Sequence, residues 1–420
     1  MNERLESRPK LLKSWIAAIC ILALGTTLYS EIEGEWFSSY VKYIAQVGFF
    51  NVGVIYAVSK IVGTIFYMIW GAVSDNARTK FGRRVPFLVI GMFTTALFMI
   101  LYISTTNFIF LLIIGGVILA ITSNMFHVTN KSLIVDLVPQ ERRGRMQIKI
   151  FLFGMMGSMI VWIPAIFLLP EGQASFSQEM HVLFISMGAL SCVLVGISVG
   201  VLVKEPKLDI VPKNWLIDIK NLFNPKEMLK HKGFLKIFVA MIFLIMSKSA
   251  YYPFMLIFFQ EIPLDFAEII IALPFVITII IVGIFFMGKL ADTRGRKITT
   301  IISLFLSPIG GVLIILAGSS SFMLFLGFAI MFAFIQGVWI AADAWVQDLL
   351  PKEKRGSFLG IINIGNALGS VPGVLIAGLV ADALGLSWVF FVSGIILWIA
   401  LPFFSIVPET IIKKGANKKD

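Results

Sequence analysis

The chain has 420 residues, of which 58% are hydrophobic and only 14% charged, with a formal net charge of +11. Soluble domains lie nearer 45–50% apolar, with about a quarter of their residues charged, so a soluble multidomain enzyme is excluded, as is a disordered or fibrous chain. Twelve helices of roughly 20 residues would use about 240 positions, which predicts an all-α polytopic membrane protein.

Apolar runs bounded by charges or turn residues predict twelve membrane helices, near 12–36, 49–74, 86–105, 107–137, 147–170, 181–203, 234–260, 266–290, 298–318, 320–348, 357–381 and 386–407. The first run continues past Ala23 without a small-residue cleavage site, so no cleavable signal peptide is expected. Of the 35 Lys and Arg residues, 31 fall in the N-terminal segment, alternate loops and the tail after 408, whereas the opposite loops hold only Lys42. Cytoplasmic loops retain Lys and Arg, so a multi-pass cell-membrane protein with both termini in the cytoplasm is expected. The positive charge is thereby a topology signal, and no nucleic-acid partner is expected. Cys20 and Cys192 lie in apolar runs and His127, His181 and His231 are scattered, so neither a metal site nor a cofactor is expected. A P-loop is absent and the polar loops are too short for a nucleotide-binding domain, which argues against ATP-driven chemistry. No His or carboxylate cluster of an intramembrane enzyme is evident either.

The chain repeats itself. Asp136-Leu-Val-Pro-Gln-Glu-Arg-Arg-Gly144 returns as Asp348-Leu-Leu-Pro-Lys-Glu-Lys-Arg-Gly356, 212 residues later, and Gly157-Ser158 returns as Gly369-Ser370 at the same shift. Upstream, Gly71-Ala-Val-Ser-Asp75 matches Gly288-Lys-Leu-Ala-Asp292, 217 residues later. These matches predict an N-terminal six-helix bundle (1–203), a cytoplasmic central loop (204–233), a C-terminal six-helix bundle (234–407) and a cytoplasmic tail (408–420). Two such halves are the plan of a transporter that rocks about a midplane site. A monomer is expected.

The pattern Gly71-x-x-x-Asp75…Gly82-Arg83-Arg84, with its copy Gly288-x-x-x-Asp292…Gly295-Arg296-Lys297, resembles the major facilitator superfamily over essentially the whole chain. The long loop from Asp75 to Pro86 looks like the glycoside–pentoside–hexuronide cation symporters. The segment Asp343-Ala-Trp-Val-Gln-Asp348-Leu-Leu-Pro, followed by Gly360-Ile-Ile-Asn363, looks like the related sucrose carriers. That resemblance implies import of a sugar or glycoside with a proton or sodium ion. Melibiose-type carriers place sodium-ligating aspartates where this chain has Tyr67 and Gly63, so a proton is expected rather than sodium. The resemblance also implies a cytoplasmic gate made by Gly71, Asp75 and Arg83 with Gly288, Asp292 and Arg296. Asp136 with Arg143, and Asp348 with Arg355, would brace the neighbouring corners.

An ionisable group at bilayer depth costs roughly 2.5–3.5 kcal/mol on insertion scales, so each needs a reason. Lys131 and Asp343 occupy equivalent positions of the repeat. Asn124, His127 and Lys131 share one face of helix 4, and Gln336, Trp339 and Asp343 repeat it on helix 10, extended by Gln347. These two stripes are expected to line water or substrate, with Lys131 and Asp343 paired across a central cavity. At the upstream shift Lys248 corresponds to Glu31, with Glu35 one turn further on the same face, while Lys60 lies at mid-depth on helix 2. Glu31, Lys248, Glu35 and Lys60 are further candidates for substrate binding or coupling. The bland alternative is that buried opposite charges merely fix packing.

The expected function is a secondary active transporter that moves a small polar solute, a sugar or glycoside on the resemblance, by alternating access with proton coupling through Asp343. A proton-coupled exporter of amphipathic compounds and a non-transporting membrane scaffold or receptor are the alternatives.

Overall fold

The computed structural model describes residues 12–138, 142–168, 176–205, 231–262, 266–318, 320–349 and 355–410. Among these, twelve helices are long and apolar enough to cross a membrane. In the first half they are α1 (Lys13–Tyr43), α2 (Phe49–Asn76), α3 (Val85–Tyr102), α4 (Phe108–Ile134), α5 (Arg145–Phe167) and α6 (Gln178–Leu202). In the second they are α7 (Lys232–Glu261), α8 (Ala267–Arg294), α9 (Arg296–Leu316), α10 (Ser321–Val346), α11 (Ile361–Leu384) and α12 (Leu386–Ser405). No extended strand occurs among the described residues; an isolated bridge links Thr79 and Gly82.

One boundary differs materially from the expected spans. The run Ile32-Glu-Gly-Glu-Trp36 reads as the polar end of the first span, but the chain forms a π turn there and continues as helix through Tyr43. Phe37, Tyr40 and Val41 supply the reason, since all three are buried and hold the extra turns against the bundle. A second π turn, Leu112–Ile118, lies inside α4.

The chain divides into two compact units, one of residues 1–47 and 58–220, the other of 48–57 and 221–420. In the first, α1 packs on α5 and α6, and α3 on α4 and α6. In the second, α7 packs on α11 and α12, and α9 on α10 and α12, so the duplicated sequence gives duplicated packing. Gly157 and Gly369 show how closely the match runs. A Cβ on Gly157 would overlap the Leu24 carbonyl oxygen of α1, and one on Gly369 would overlap the Ile242 carbonyl oxygen of α7. Small residues there let two helix backbones touch. The second unit also takes in the first turns of α2. Asp382, near the end of α11, accepts the backbone N–H groups of Phe49 and Phe50, each at 2.9 Å. These donors have no partner inside their own helix. Most of the central loop and the tail beyond 410 lie outside the described residues.

Candidate functional site

In the first unit, α4 presents Asn124, His127 and Lys131. The Asn124 amide donates to the Ala120 carbonyl oxygen of its own helix at 2.7 Å and stands where a Cβ on Gly63 of α2 would go. Gly63 is thus where α2 and α4 come close. The His127 ring packs against Phe126 at 4.3 Å and Tyr29 at 5.9 Å. Lys131 is exposed, with its ammonium 5.5 Å from the centre of the Tyr67 ring, a cation–π geometry.

The carboxylates of α1 separate. Glu31 accepts hydrogen bonds from Ser158 Oγ at 2.7 Å and Trp162 Nε1 at 3.1 Å, both on α5. Glu35 is 1% exposed. Glu33, which periodicity had not singled out, interacts electrostatically with Lys60 of α2. It lies four residues after Tyr29, one turn along α1, on a face that the Glu31 and Glu35 reading left aside.

In the second unit, the exposed side chains of Gln336 and Asp343 and the partly exposed Trp339 form the stripe on α10. Lys248 of α7 joins them. Its ammonium lies 5.4 Å from the Trp339 ring and 5.7 Å from the Tyr252 ring, and it interacts electrostatically with Asp343. Lys131 and Asp343 belong to different units, and within its own unit the ionic neighbour of Asp343 is Lys248. The Gln347 side chain lies outside the described ones.

Asp343 also edges a cavity of about 110 Å³ whose other walls include Phe234, Phe238, Met241, Ile245 and Val346. Gly365 of α11 shapes it, since a Cβ there would come 2.8 Å from the Phe238 ring. A single carboxylate beside so apolar a lining suits the charged end of a ligand whose remainder is hydrophobic.

The helix ends that carry the repeated loops are tied within each unit. Arg83 pairs with Asp136 at 2.7 Å. The buried arginine, however, is Arg84, which pairs with Asp75, reaches Asp136 at 3.4 Å and donates to Ser74 Oγ at 2.7 Å. Asp136 is therefore held by Arg83 and Arg84; the Arg143 and Arg355 side chains lie outside the described ones. In the second unit Arg296 pairs with Asp348 at 2.8 Å, and Thr410 donates to the same carboxylate at 2.8 Å. Asp292 is exposed. Gly71 would bring a Cβ within 3.3 Å of Val128, whereas one at Gly288 would meet nothing within 4 Å, so close approach explains the glycine only in the first copy.

Two further carboxylates were not foreseen. Glu205, after α6, accepts the backbone N–H groups of Arg83, Arg84 and Val85. Glu409, after α12, accepts those of Arg296 and Lys297 at 3.3 and 2.9 Å. In sequence each is a lone acid beside a proline, Glu205-Pro206 and Pro408-Glu409, at the matching end of each half. That duplication was the available signal.

The family model described as Major Facilitator Superfamily matches residues 14–262 and 237–419. The chain belongs to the major facilitator superfamily. It is accordingly a multi-pass membrane protein of a transporter superfamily and not an enzyme. Solved structures share the superfamily fold. They include a bacterial homolog of the human lysosomal transporter Spinster (TM-score 0.69, 15% identity, 94% of this chain and 96% of that one) and the nucleoside transporter NupG (0.72, 14%, 93% and 98%). A D-xylose-proton symporter matches at TM-score 0.67 with 16% identity, over 94% of this chain and 98% of its own. Among curated relatives, Multidrug resistance protein MdtG of Yersinia enterocolitica is 33% identical over 113 residues, 27% of each chain. Its namesake in Salmonella choleraesuis is 33% identical over 123 residues, 29% of this chain and 30% of its own. The aligned stretch thus spans less than a third of these relatives, and their name is a multidrug one rather than that of a sugar symporter.

Proposed function

We propose that this superfamily member is a secondary transporter of amphipathic compounds, working by alternating access and coupled to protons. The observation that carries this reading is the cavity beside Asp343, where one carboxylate faces a lining of Phe, Met, Ile and Val side chains. A sugar offers hydroxyls all round its ring, and this lining gives them almost nothing to bond. A lipophilic cation places its charge on Asp343 and its hydrocarbon in the cavity, where each buried CH₂ is worth about 0.8 kcal/mol. The name of the MdtG relatives agrees with this choice.

Protonation of Asp343 would remove the charge that retains such a cation, so a bound proton and a bound cation exclude each other at that residue. Lys248 is the neighbouring ammonium that would take up the carboxylate once the substrate has left. Sugar or glycoside transport is the second reading, favoured by Trp339 and Tyr252 flanking Lys248, since aromatic faces stack on sugar rings.

The experiment is transport in proteoliposomes under an imposed pH gradient. Labelled tetraphenylphosphonium and labelled disaccharides are offered in parallel. Gradient-driven movement of the cation supports the proposal, and movement of the disaccharide alone replaces it with the second reading.

A further inference from the structure

We propose that the turn at residues 78–81, between α2 and α3, is a docking surface for anionic phospholipid. Phe81 enters the headgroup layer of the leaflet on the side of the basic loops, and Arg78 and Lys80 meet its phosphates.

The repeat shows that this turn is not needed to join two helices. From Asp75 to Gly82 the chain takes seven steps and from Asp292 to Gly295 three, so the first connection is longer by four residues. Gly82 and Gly295 share a φ of +106°, and a Cβ on either would crowd a carboxylate, that of Glu205 or of Glu409. The two connections therefore do the same structural work at their glycines. In the second, Gly295 alone separates α8 from α9. The longer first connection carries Arg78, Lys80 and Phe81, whereas no aromatic residue lies between Asp292 and Lys297.

The turn is tied so that its tip stays out. The Thr79 hydroxyl donates to the Gly82 carbonyl oxygen and accepts the Phe81 N–H at 3.2 Å. The Gly82 N–H donates to the Thr79 carbonyl oxygen, also at 3.2 Å. Behind the tip, Arg83 is held by Asp136 and Arg84 by Asp75. Phe81 is left 78% exposed, more than any other large apolar side chain described, those inside the spans included. Lys80 precedes it directly and Arg78 lies two residues further back, both exposed. The Arg78 guanidinium is braced by local backbone, donating to the Asp75 and Ala77 carbonyl oxygens at 3.1 and 2.7 Å.

Depth decides between membrane and cytosol. Trp70 and Phe87 pack together with ring centres 6.3 Å apart. Trp70 lies six residues before the end of α2, and Phe87 in the first turn of α3. Such aromatic residues gather where hydrocarbon meets headgroups. Six helical residues rise about 9 Å, and the headgroup layer on each side is about 5–8 Å thick. The turn therefore sits at the outer edge of the headgroups, within reach of a phenyl side chain.

A lone exposed apolar side chain needs no explanation. One held out by a braced turn, beside two bases and at this depth, matches the pairing of aromatic insertion with attraction to anionic lipid. Its neighbours Arg78, Thr79 and Lys80 are polar, so a soluble partner would find a single ring to bury. A bilayer needs no shaped counterpart.

The test uses the full chain in nanodiscs of phosphatidylcholine, with and without phosphatidylglycerol. Trypsin cleavage after Arg78 and Lys80 is followed by mass spectrometry. Phosphatidylglycerol is expected to slow it roughly tenfold, as two bases drawn to an anionic surface require. High salt should remove the difference, and Phe81→Ala should lose most of the protection. Depth is read from an environment-sensitive fluorophore on Phe81→Cys, since Cys20 and Cys192 are buried. Its emission should shift to the blue and be quenched by lipids spin-labelled near the headgroup.

Equal cleavage in the two nanodiscs overturns the proposal, and so does a fluorophore at position 81 that emits as in water and escapes quenching. Protection retained in full by Phe81→Ala overturns it as well. Should that variant fail to fold, digestion of the wild type still decides.

Discussion

The Glu205 carboxylate accepts the backbone N–H of Arg84 at 2.7 Å, across 121 residues of sequence. It also takes the N–H of Arg83 at 2.8 Å and that of Val85, so one side chain satisfies three donors where α3 begins. Gly82 makes room for it. This residue has φ of +106°, and a Cβ there would fall 2.6 Å from the Glu205 carboxyl carbon. A negative charge at a helix N-terminus is further stabilised by the aligned peptide dipoles.

Glu205→Ala is expected to destabilise the first unit by about 1–3 kcal/mol, because partly buried N–H groups lose their acceptor. Thermal unfolding in detergent measures this. Glu409→Ala should cost less, since Glu409 accepts from two of these N–H groups, with the bonds exposed. Equal losses would refute the asymmetry.

Arg84→Ala is expected to cost about 3 kcal/mol, the low end for breaking a buried ion pair, because its partner Asp75 is 55% exposed in its side chain. Asp292→Ala, the equivalent acid of the second copy, should fall within about 0.5 kcal/mol of wild type. Urea or thermal melts of the two variants compare them directly.

Gly157→Ala and Gly369→Ala should each cost about 1–3 kcal/mol through overpacking, since both bring a methyl group onto a neighbouring helix carbonyl. Gly288→Ala has open space and should be close to neutral. Melting temperatures that fail to separate the first two from the third would show that the backbones relax freely.

Asp343→Asn is expected to abolish pH-driven movement of tetraphenylphosphonium and to weaken its binding roughly tenfold, which corresponds to about 1.4 kcal/mol. Phe238→Ala removes part of the apolar wall of the same cavity. It should weaken binding of the lipophilic cation while leaving the pH dependence in place. Scintillation proximity binding and vesicle uptake read the two effects separately.

Much of this protein was legible from its sequence. The apolar runs determined an all-helical membrane protein, because a chain 58% hydrophobic has no other way to hide its apolar surface. The repeated Asp-Leu-x-Pro and Gly-Ser segments determined the duplicated packing, because equal sequences at equal spacing fold against equal neighbours. What only the tertiary structure decided is which charges meet. Helical periodicity put Glu31 and Glu35 forward together, whereas packing set Glu31 against Ser158 and Trp162 of α5 and buried Glu35. Repeat arithmetic made Lys248 the counterpart of Glu31, whereas packing within the second unit brought it to Asp343 and Trp339. Glu205 and Glu409 reach their helix ends through chain reversals more than a hundred residues long. Periodicity fixes which face of a helix a side chain occupies, but a partner on another helix is set by the packing of the whole bundle.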